Sequence, residues 1–252
     1  MNTVKPRIAI PQPHSQRPDY NQRTLPLYKH AIEASGGEPV EVPLHASPEE
    51  VAKIVTSCQA VVLPGSPADV DPQKFSAEKD PHTADADPLR DNVDELLLQD
   101  AYNMRKPVLG ICYGLQSLNV WRSGTLLQHI ENSSVAHQAG RTVHIAHEVA
   151  LEPDSKLAGI LGNGKSQTHL VPVNSSHHQA ADVVGDGLRV SARSADDKLI
   201  EAVEGTNPEH FVLAVQWHPE RNFDNDPASQ SIFKRLVDEA RAYHPKSIGG
   251  SA

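Results

Sequence analysis

Up to Ile111 the chain alternates short apolar runs, each bounded by turn residues, with segments of helical period, and that alternation leaves few architectures open. Arg7 to Ile10 reads as a strand and Leu25 to Ser35 as a helix closed by Gly36-Gly37. Val40 to Val42 is a second strand. A helix then opens at Ser47-Pro48-Glu49-Glu50, a capping hydroxyl followed by an acidic first turn. Ala60 to Leu63 is a third strand and runs into Pro64-Gly65-Ser66-Pro67; Asp71 to Asp87 is polar, proline-punctuated and reads as a long surface loop. The next helix spans Pro88 to Met104, with Leu89, Val93, Leu96, Leu97, Ala101 and Met104 on one face, and Pro107 to Ile111 is a fourth strand. Strands and helices in this order predict a parallel sheet covered by helices on both faces.

The second half is richer in strands. His144 to Leu151, Leu188 to Ala192, Leu199 to Val203 and Phe211 to Trp217 read as extended, and their close spacing predicts that some pair antiparallel as an added ribbon or sheet edge. Ile232, Phe233, Leu236, Val237 and Ala240 mark an amphipathic closing helix. The expectation is one α/β domain over residues 5–243, followed by a disordered tail, 244–252.

Charge and cysteine content narrow the function classes. The net charge is -9, from 23 basic and 32 acidic residues with no Lys or Arg run, so nucleic acid and anionic membrane surfaces are poor partners. Two cysteines, Cys58 and Cys112, exclude a disulfide framework. The N-terminal apolar stretch is broken by prolines and too short for a signal peptide, and no segment reaches the length of a membrane span. A reducing, cytoplasmic setting is expected.

The chemistry concentrates at Gly110-Ile111-Cys112-Tyr113-Gly114-Leu115-Gln116, where an apolar strand delivers a cysteine onto a Gly-x-Cys-x-Gly turn and helix-forming residues follow. This is a nucleophile elbow with sulfur in place of a serine hydroxyl. Flanking glycines permit a sharp turn, the helix N-terminus favours thiolate, and the Tyr113 amide faces the same space as an oxyanion donor. Cys58 has no such setting and reads as a buried structural thiol. A thiolate nucleophile needs a proton acceptor, and position selects among 14 histidines. His218 follows the strand FVLAVQW in Gln216-Trp217-His218-Pro219-Glu220. In extended backbone, residues two apart share a face, which lets Glu220 orient the His218 ring.

The pair G-I-C-Y-G-L-Q and Q-W-H-P-E resembles the signature of the class I glutamine amidotransferase superfamily, over most of the chain from Ile8 through the closing helix. Three stretches make it similar to the γ-glutamyl-γ-aminobutyrate hydrolase family: Leu63 to Pro72 (LPGSPADVDP), Asp87 to Asp91 (DPLRD) and Asn174 to Gln179 (NSSHHQ). The resemblance implies a flavodoxin-like fold and a cysteine hydrolase acting on a small γ-glutamyl compound, without cofactor. It also implies a homodimer, the Gly65 amide as second oxyanion donor opposite Tyr113, and a γ-glutamyl pocket lined by Gln116, Ser176, His177 and His178. The leaving amine is left open among γ-aminobutyrate, a polyamine-derived amino acid, an aniline and ammonia. Where such proteins read Asn-Val-x-x-Gly-Gly-Thr-Leu, this chain has Asn119-Val120-Trp121-Arg122-Ser123-Gly124-Thr125-Leu126, and Leu127-Gln128-His129-Ile130 lacks the usual aspartate.

Other readings rank lower. His144, His147, His169, His177 and His178 invite a metal, but His144 and His147 in a strand would face opposite ways, and no Cys pair or carboxylate spacing completes a ligand set, so none is expected. Gly162-Asn163-Gly164-Lys165-Ser166 lacks the upstream glycine of a phosphate loop and reads as a turn. Arg90 is a candidate partner for a substrate carboxylate or for Asp91, or a surface ion pair. The same triad would also serve a glutaminase subunit feeding ammonia to a synthase, and the same fold could serve a non-catalytic binding protein.

Overall fold

The computed structural model describes residues 4–131, 133–162 and 170–245. His169, the Asn163 to Ser166 part of the expected turn and residues 246–252 of the expected tail lie outside them.

The first half follows β1 (Arg7–Pro11), α1 (Pro18–Ala34), β2 (Glu38–Val42), α2 (Pro48–Thr56), β3 (Ala60–Leu63), α3 (Pro88–Met104), β4 (Val108–Ile111) and α4 (Tyr113–Trp121). Next come β5 (Leu126–Leu127), β6 (His147–Leu151), α5 (Lys156–Leu161), β7 (Leu170–Val173), β8 (Ala180–Ala181), β9 (Leu188–Ser194), β10 (Ile200–Gly205) and β11 (Val212–Val215). A short α6 (Pro219–Asn222) and α7 (Pro227–Ala242) close the chain. The main sheet has nine strands in the order β2-β1-β3-β4-β11-β10-β9-β6-β7. β2 through β11 in that order pair parallel, and β10, β9, β6 and β7 extend the same sheet antiparallel. A two-stranded ribbon, β5 with β8, stands apart.

Alternate strand residues feed two cores. Ile8, Ile10, Val62, Leu109, Ile111 and Val215 pack under α1, α5 and α7; Ala9, Val61, Leu63, Val108 and Ala214 pack under α2, α3 and α4. The mostly parallel, doubly covered sheet is what the alternation predicts, in the flavodoxin-like form that the resemblance implies.

Several details differ from the sequence reading. α1 starts at Pro18 rather than Leu25, because its first turns are polar and largely exposed and Pro26 lies inside it. β6 starts at His147, not His144. The Asp71 to Asp87 segment contains a 3₁₀ turn, Pro72–Phe75, and ends in a buried residue: the Asp87 carboxylate caps α3 at the Arg90 amide (3.3 Å) and accepts from the Ser15 amide (2.6 Å) and hydroxyl (2.8 Å). On α3, Leu98 is buried and Leu89 is not, because Arg90, Asp91 and Asp94 share the buried side.

The unusual turn after α4 packs locally. Trp121 lies 4.8 Å from Tyr102, the Arg122 guanidinium covers Tyr102 at 4.9 Å, and Arg122 Nε donates to the Asp186 carbonyl at 2.7 Å. Ser123 sits at φ 69°, in the left-handed region that glycine occupies freely. Ser123→Gly is therefore expected to stabilise the protein by about 0.5–1 kcal/mol, read as a higher urea midpoint at unchanged m.

Candidate active site

Three neighbouring parallel strands, β3, β4 and β11, end side by side, and the loops leaving their C-terminal ends carry Gly65, Cys112 and His218. This is where open α/β sheets place their ligands. Cys112 joins β4 to α4 at φ 53° and ψ -105°, a conformation costly for a residue with a Cβ. Its amide donates to the Val215 carbonyl at 2.8 Å, and its carbonyl accepts from the Leu115 amide at 3.0 Å, so strand and helix both hold the strained residue. The two glycines are required by space. A Cβ on Gly110 would lie 2.7 Å from the Gly114 carbonyl oxygen, and one on Gly114 would lie 2.1 Å from that of Leu63.

Gly65 is flanked by the other two positions. A Cβ built on it would lie 2.9 Å from His218 Cε1 and 3.6 Å from Cys112 Cβ. Its own amide donates to the Tyr28 hydroxyl at 3.1 Å. The preceding carbonyl, that of Pro64, accepts from Arg90 Nη2 at 2.6 Å. Arg90 is fully buried, paired through Nε with Asp94 Oδ1 at 2.7 Å and bonded to the Pro13 carbonyl at 3.0 Å. None of the three sequence expectations for Arg90 holds: it is buried, pairs with Asp94 rather than Asp91, and braces the Gly65 loop from within. Asp91 instead accepts from the Tyr113 hydroxyl.

His218 and Glu220 meet at 2.8 Å, Nδ1 to Oε1, with both side chains buried. The contact arises differently from the extended-strand argument. β11 ends at Val215, His218 caps α6, and Glu220 lies in the first turn of that helix. Asn174 brackets the His218 backbone: its Nδ2 donates to the His218 carbonyl at 2.8 Å, and its Oδ1 accepts from the His218 amide at 2.9 Å. Arg221 Nη1 donates to Ser176 Oγ at 2.7 Å, and Arg221 Nε stands 3.6 Å from Glu220.

Burial dominates the electrostatics. It pushes the Cys112 thiol up to about 12, with Glu220 adding to the rise and Arg221 and the Tyr113 amide opposing it. Burial lowers His218 below its ordinary value, Arg221 assists, and Glu220 opposes. Glu220 is itself held below the usual carboxylate range by His218, against its burial. Burial thus favours thiol and neutral imidazole over the ion pair and opposes the thiolate-favouring helix N-terminus. The Tyr113 amide is directed at the Cys112 sulfur.

The residues expected to line a pocket are each held by protein partners, and Gln116 and His177 share the Gln179 carbonyl. Gln116 is buried, with Nε2 at 3.2 Å from both the Gln179 carbonyl and Gln216 Oε1. Ser176 is half-buried on Arg221. His178 Nε2 meets the Asp69 carboxylate at 3.0 Å, and that hydrogen bond raises its pKa against burial. His177, expected beside substrate, is buried with Nδ1 on the Gln179 carbonyl at 2.8 Å and Nε2 directed at Glu201. His144 lies before β6 and contacts Asn222, while Cys58 is a buried free thiol on the Ile54 carbonyl. Sequence reasoning missed Tyr28 and Arg221 as neighbours of the site. Asn174 stood at the head of a noted stretch, and its side-chain amide beside a histidine-rich loop was the available signal.

A cysteine elbow on a flavodoxin-like sheet with a His-Pro-Glu turn defines the class I glutamine amidotransferase-like fold. A solved glutaminase domain of Trypanosoma brucei CTPS with bound acivicin shares it at TM-score 0.60 and 18% identity, over 97% of each chain. The chain belongs to the Peptidase C26 family, whose model matches residues 6–220. It is 34% identical to the γ-glutamyl-γ-aminobutyrate hydrolase PuuD of Escherichia coli K12, over 83% of each protein. It is also 34% identical to the glutamine amidotransferase-like protein YvdE of Lactococcus lactis, over 74% of this chain and 76% of that one. Among the described residues, no helix is long and apolar enough to cross a membrane.

Proposed function

We propose that the protein hydrolyses the amide bond of a small γ-glutamyl compound, with Cys112 as nucleophile, His218 as acid–base and Glu220 as the group that orients the imidazole. The observation that carries this is the strained Cys112 elbow flanking Gly65 together with His218, whose ring is held by Glu220 at 2.8 Å. Neutral His218 takes the thiol proton as sulfur attacks the γ-carbonyl, and the imidazolium that forms is stabilised by Glu220. The Tyr113 and Gly65 amides donate hydrogen bonds to the developing oxyanion. His218 returns the proton to the departing amine, leaving a γ-glutamyl thioester. A water deprotonated by the same ring then cleaves the thioester, and glutamate leaves as Cys112 regains its proton.

Ser176 and His178 belong to the loop that would border the substrate, and Gln116 and His177 would support that loop from behind. The test is glutamate release from γ-glutamyl-γ-aminobutyrate, other γ-glutamyl amides and glutamine by the purified protein. Turnover of a γ-glutamyl amide with little on glutamine is expected. Release from glutamine alone would replace this reading with a glutaminase subunit, and release from none would overturn both.

The pH profile tests the assigned charge states. Activity needs neutral His218, so kcat/KM should rise with pH through a value below the ordinary histidine range and then level off. Glu220 raises the His218 pKa, so Glu220→Gln should move this acid limb to still lower pH while cutting the plateau by about 10²-fold or more.

A further inference from the structure

Behind the site, four segments bring His137, His147 on β6, His177 and Glu201 on β10 into one buried cluster. A single carboxylate oxygen, Glu201 Oε1, is approached by His147 Nε2 at 3.1 Å, His137 Nδ1 at 3.3 Å and His177 Nε2 at 3.5 Å. The outer nitrogens fix the tautomers. His137 Nε2 lies 2.8 Å from the Asp197 carboxylate, which only accepts, so Nε2 carries the proton. His177 Nδ1 lies 2.8 Å from the Gln179 carbonyl and carries the proton for the same reason. In their neutral forms both rings thus aim bare lone pairs at a carboxylate oxygen. Among the described residues, His137 Nδ1, His177 Nε2 and Glu201 Oε2 have no hydrogen-bond partner.

Such a meeting of acceptors in a buried place calls for positive charge between them. A proton on His137, which lies between Asp197 and Glu201, would relieve one of these contacts but leave His177 Nε2 facing the same oxygen, and a second proton would make neighbouring imidazoliums, the rings being 4.9 Å apart. One divalent ion supplies it at a stroke. Zinc–nitrogen and zinc–oxygen bonds of about 2.0–2.1 Å in a tetrahedron place adjacent ligand atoms roughly 3.3 Å apart, which matches the three distances to Glu201. The donor atoms of His137, His147 and Glu201 all lie within 4.8 Å of one another. Asp197 on His137 is the outer partner that metal-binding imidazoles characteristically have, whereas His147 Nδ1 is buried without one.

We propose that His137 Nδ1, His147 Nε2 and Glu201 Oε1 form a site for one zinc-type divalent transition-metal ion, with His177 beside it. Two imidazoles and one carboxylate are a borderline donor set, and the fourth position of a tetrahedron falls to a water or to His177. The ion would fasten the His137 segment to β6 and β10, and the His137 carbonyl in turn holds the Asn174 to Gln179 loop, accepting from the His177 amide at 2.9 Å and the Ser175 hydroxyl at 2.7 Å.

The test uses the full chain without a histidine tag. Chelator-treated protein is reloaded with zinc or cobalt(II), desalted, and analysed for metal content, visible spectrum and melting temperature. About one ion per chain, a visible d–d band without thiolate charge transfer, and a melting temperature raised by several degrees are expected. The same results are expected for Cys112→Ala, because the site does not use that thiol. Glu201→Gln and His137→Ala should lose the ion and the thermal shift. Absence of retained metal and of any thermal shift in the unmutated protein would overturn the proposal. So would metal that disappears in Cys112→Ala, which would place it at the catalytic thiol. The unmutated and Cys112→Ala proteins decide the matter even if the ligand variants do not fold.

Discussion

Cys112→Ala is expected to reduce glutamate release from the preferred γ-glutamyl amide by about 10⁴-fold or more, with the folded structure retained. Removal of the nucleophile takes away both bond-forming steps, and losses of this size follow when one member of such a constellation is deleted. A companion variant separates chemistry from strain. Cys112 holds a backbone conformation of φ 53° that costs a side-chain-bearing residue of order 1 kcal/mol or more. Cys112→Gly should lose activity equally and unfold at a higher urea concentration than Cys112→Ala, by about 1 kcal/mol in stability. Equal stability of the two variants would mean that the elbow stores no strain. Substantial activity in either would remove Cys112 from the mechanism.

Gly114→Ala should be the most destabilising small substitution in the chain, by about 3 kcal/mol or more. Its methyl would lie 2.1 Å from the Leu63 carbonyl oxygen and 2.8 Å from the Leu63 carbonyl carbon, and backbone in the middle of a sheet has nowhere to go. The displacement would part β3 from α4 and so separate Gly65 from Cys112. A loss of kcat/KM should therefore accompany the loss of stability. Gly159→Ala is the internal control: it lies inside α5 with no atom within 4 Å of the added methyl, and should be neutral or stabilising by up to about 1 kcal/mol. Urea unfolding of the three proteins measures both.

The parallel half of the fold was legible because β1, β3, β4 and β11 are short, largely apolar and mostly buried runs, and α2 and α3 carry their own boundary marks. Ser47 with Glu50 forms the full reciprocal cap of α2, and Pro88 opens α3 at the residue expected. β5, β7, β8 and α5 were not legible. Two of those strands have only two residues, and α5 has six, too few to display a period. The site divides in the same way. Cys112, His218 and Glu220 stand in local motifs whose spacing carries meaning. The partners that hold them come from elsewhere in the chain: Asn174 reaches His218 across 44 residues, and Tyr28 reaches Gly65 across 37. The Glu201 cluster draws its members from four segments with no spacing rule among them, so the sequence raised His147 and His177 as metal candidates but gave no sign of His137 or Glu201.

The hydrogen bond from the Gly65 amide to the Tyr28 hydroxyl gives the resting site a threshold. An arriving carbonyl oxygen meets a donor that already has a neutral acceptor of comparable strength, so exchanging one for the other contributes little to ground-state affinity. An oxyanion is a far stronger acceptor than a phenol, because hydrogen bonds to charged oxygen are roughly twice as strong as neutral ones. Under the roles proposed for Gly65 and Tyr113, the exchange becomes favourable only as negative charge builds. The phenol thus acts as a discriminator between bound substrate and tetrahedral intermediate, reserving this donor for the species whose stabilisation raises kcat.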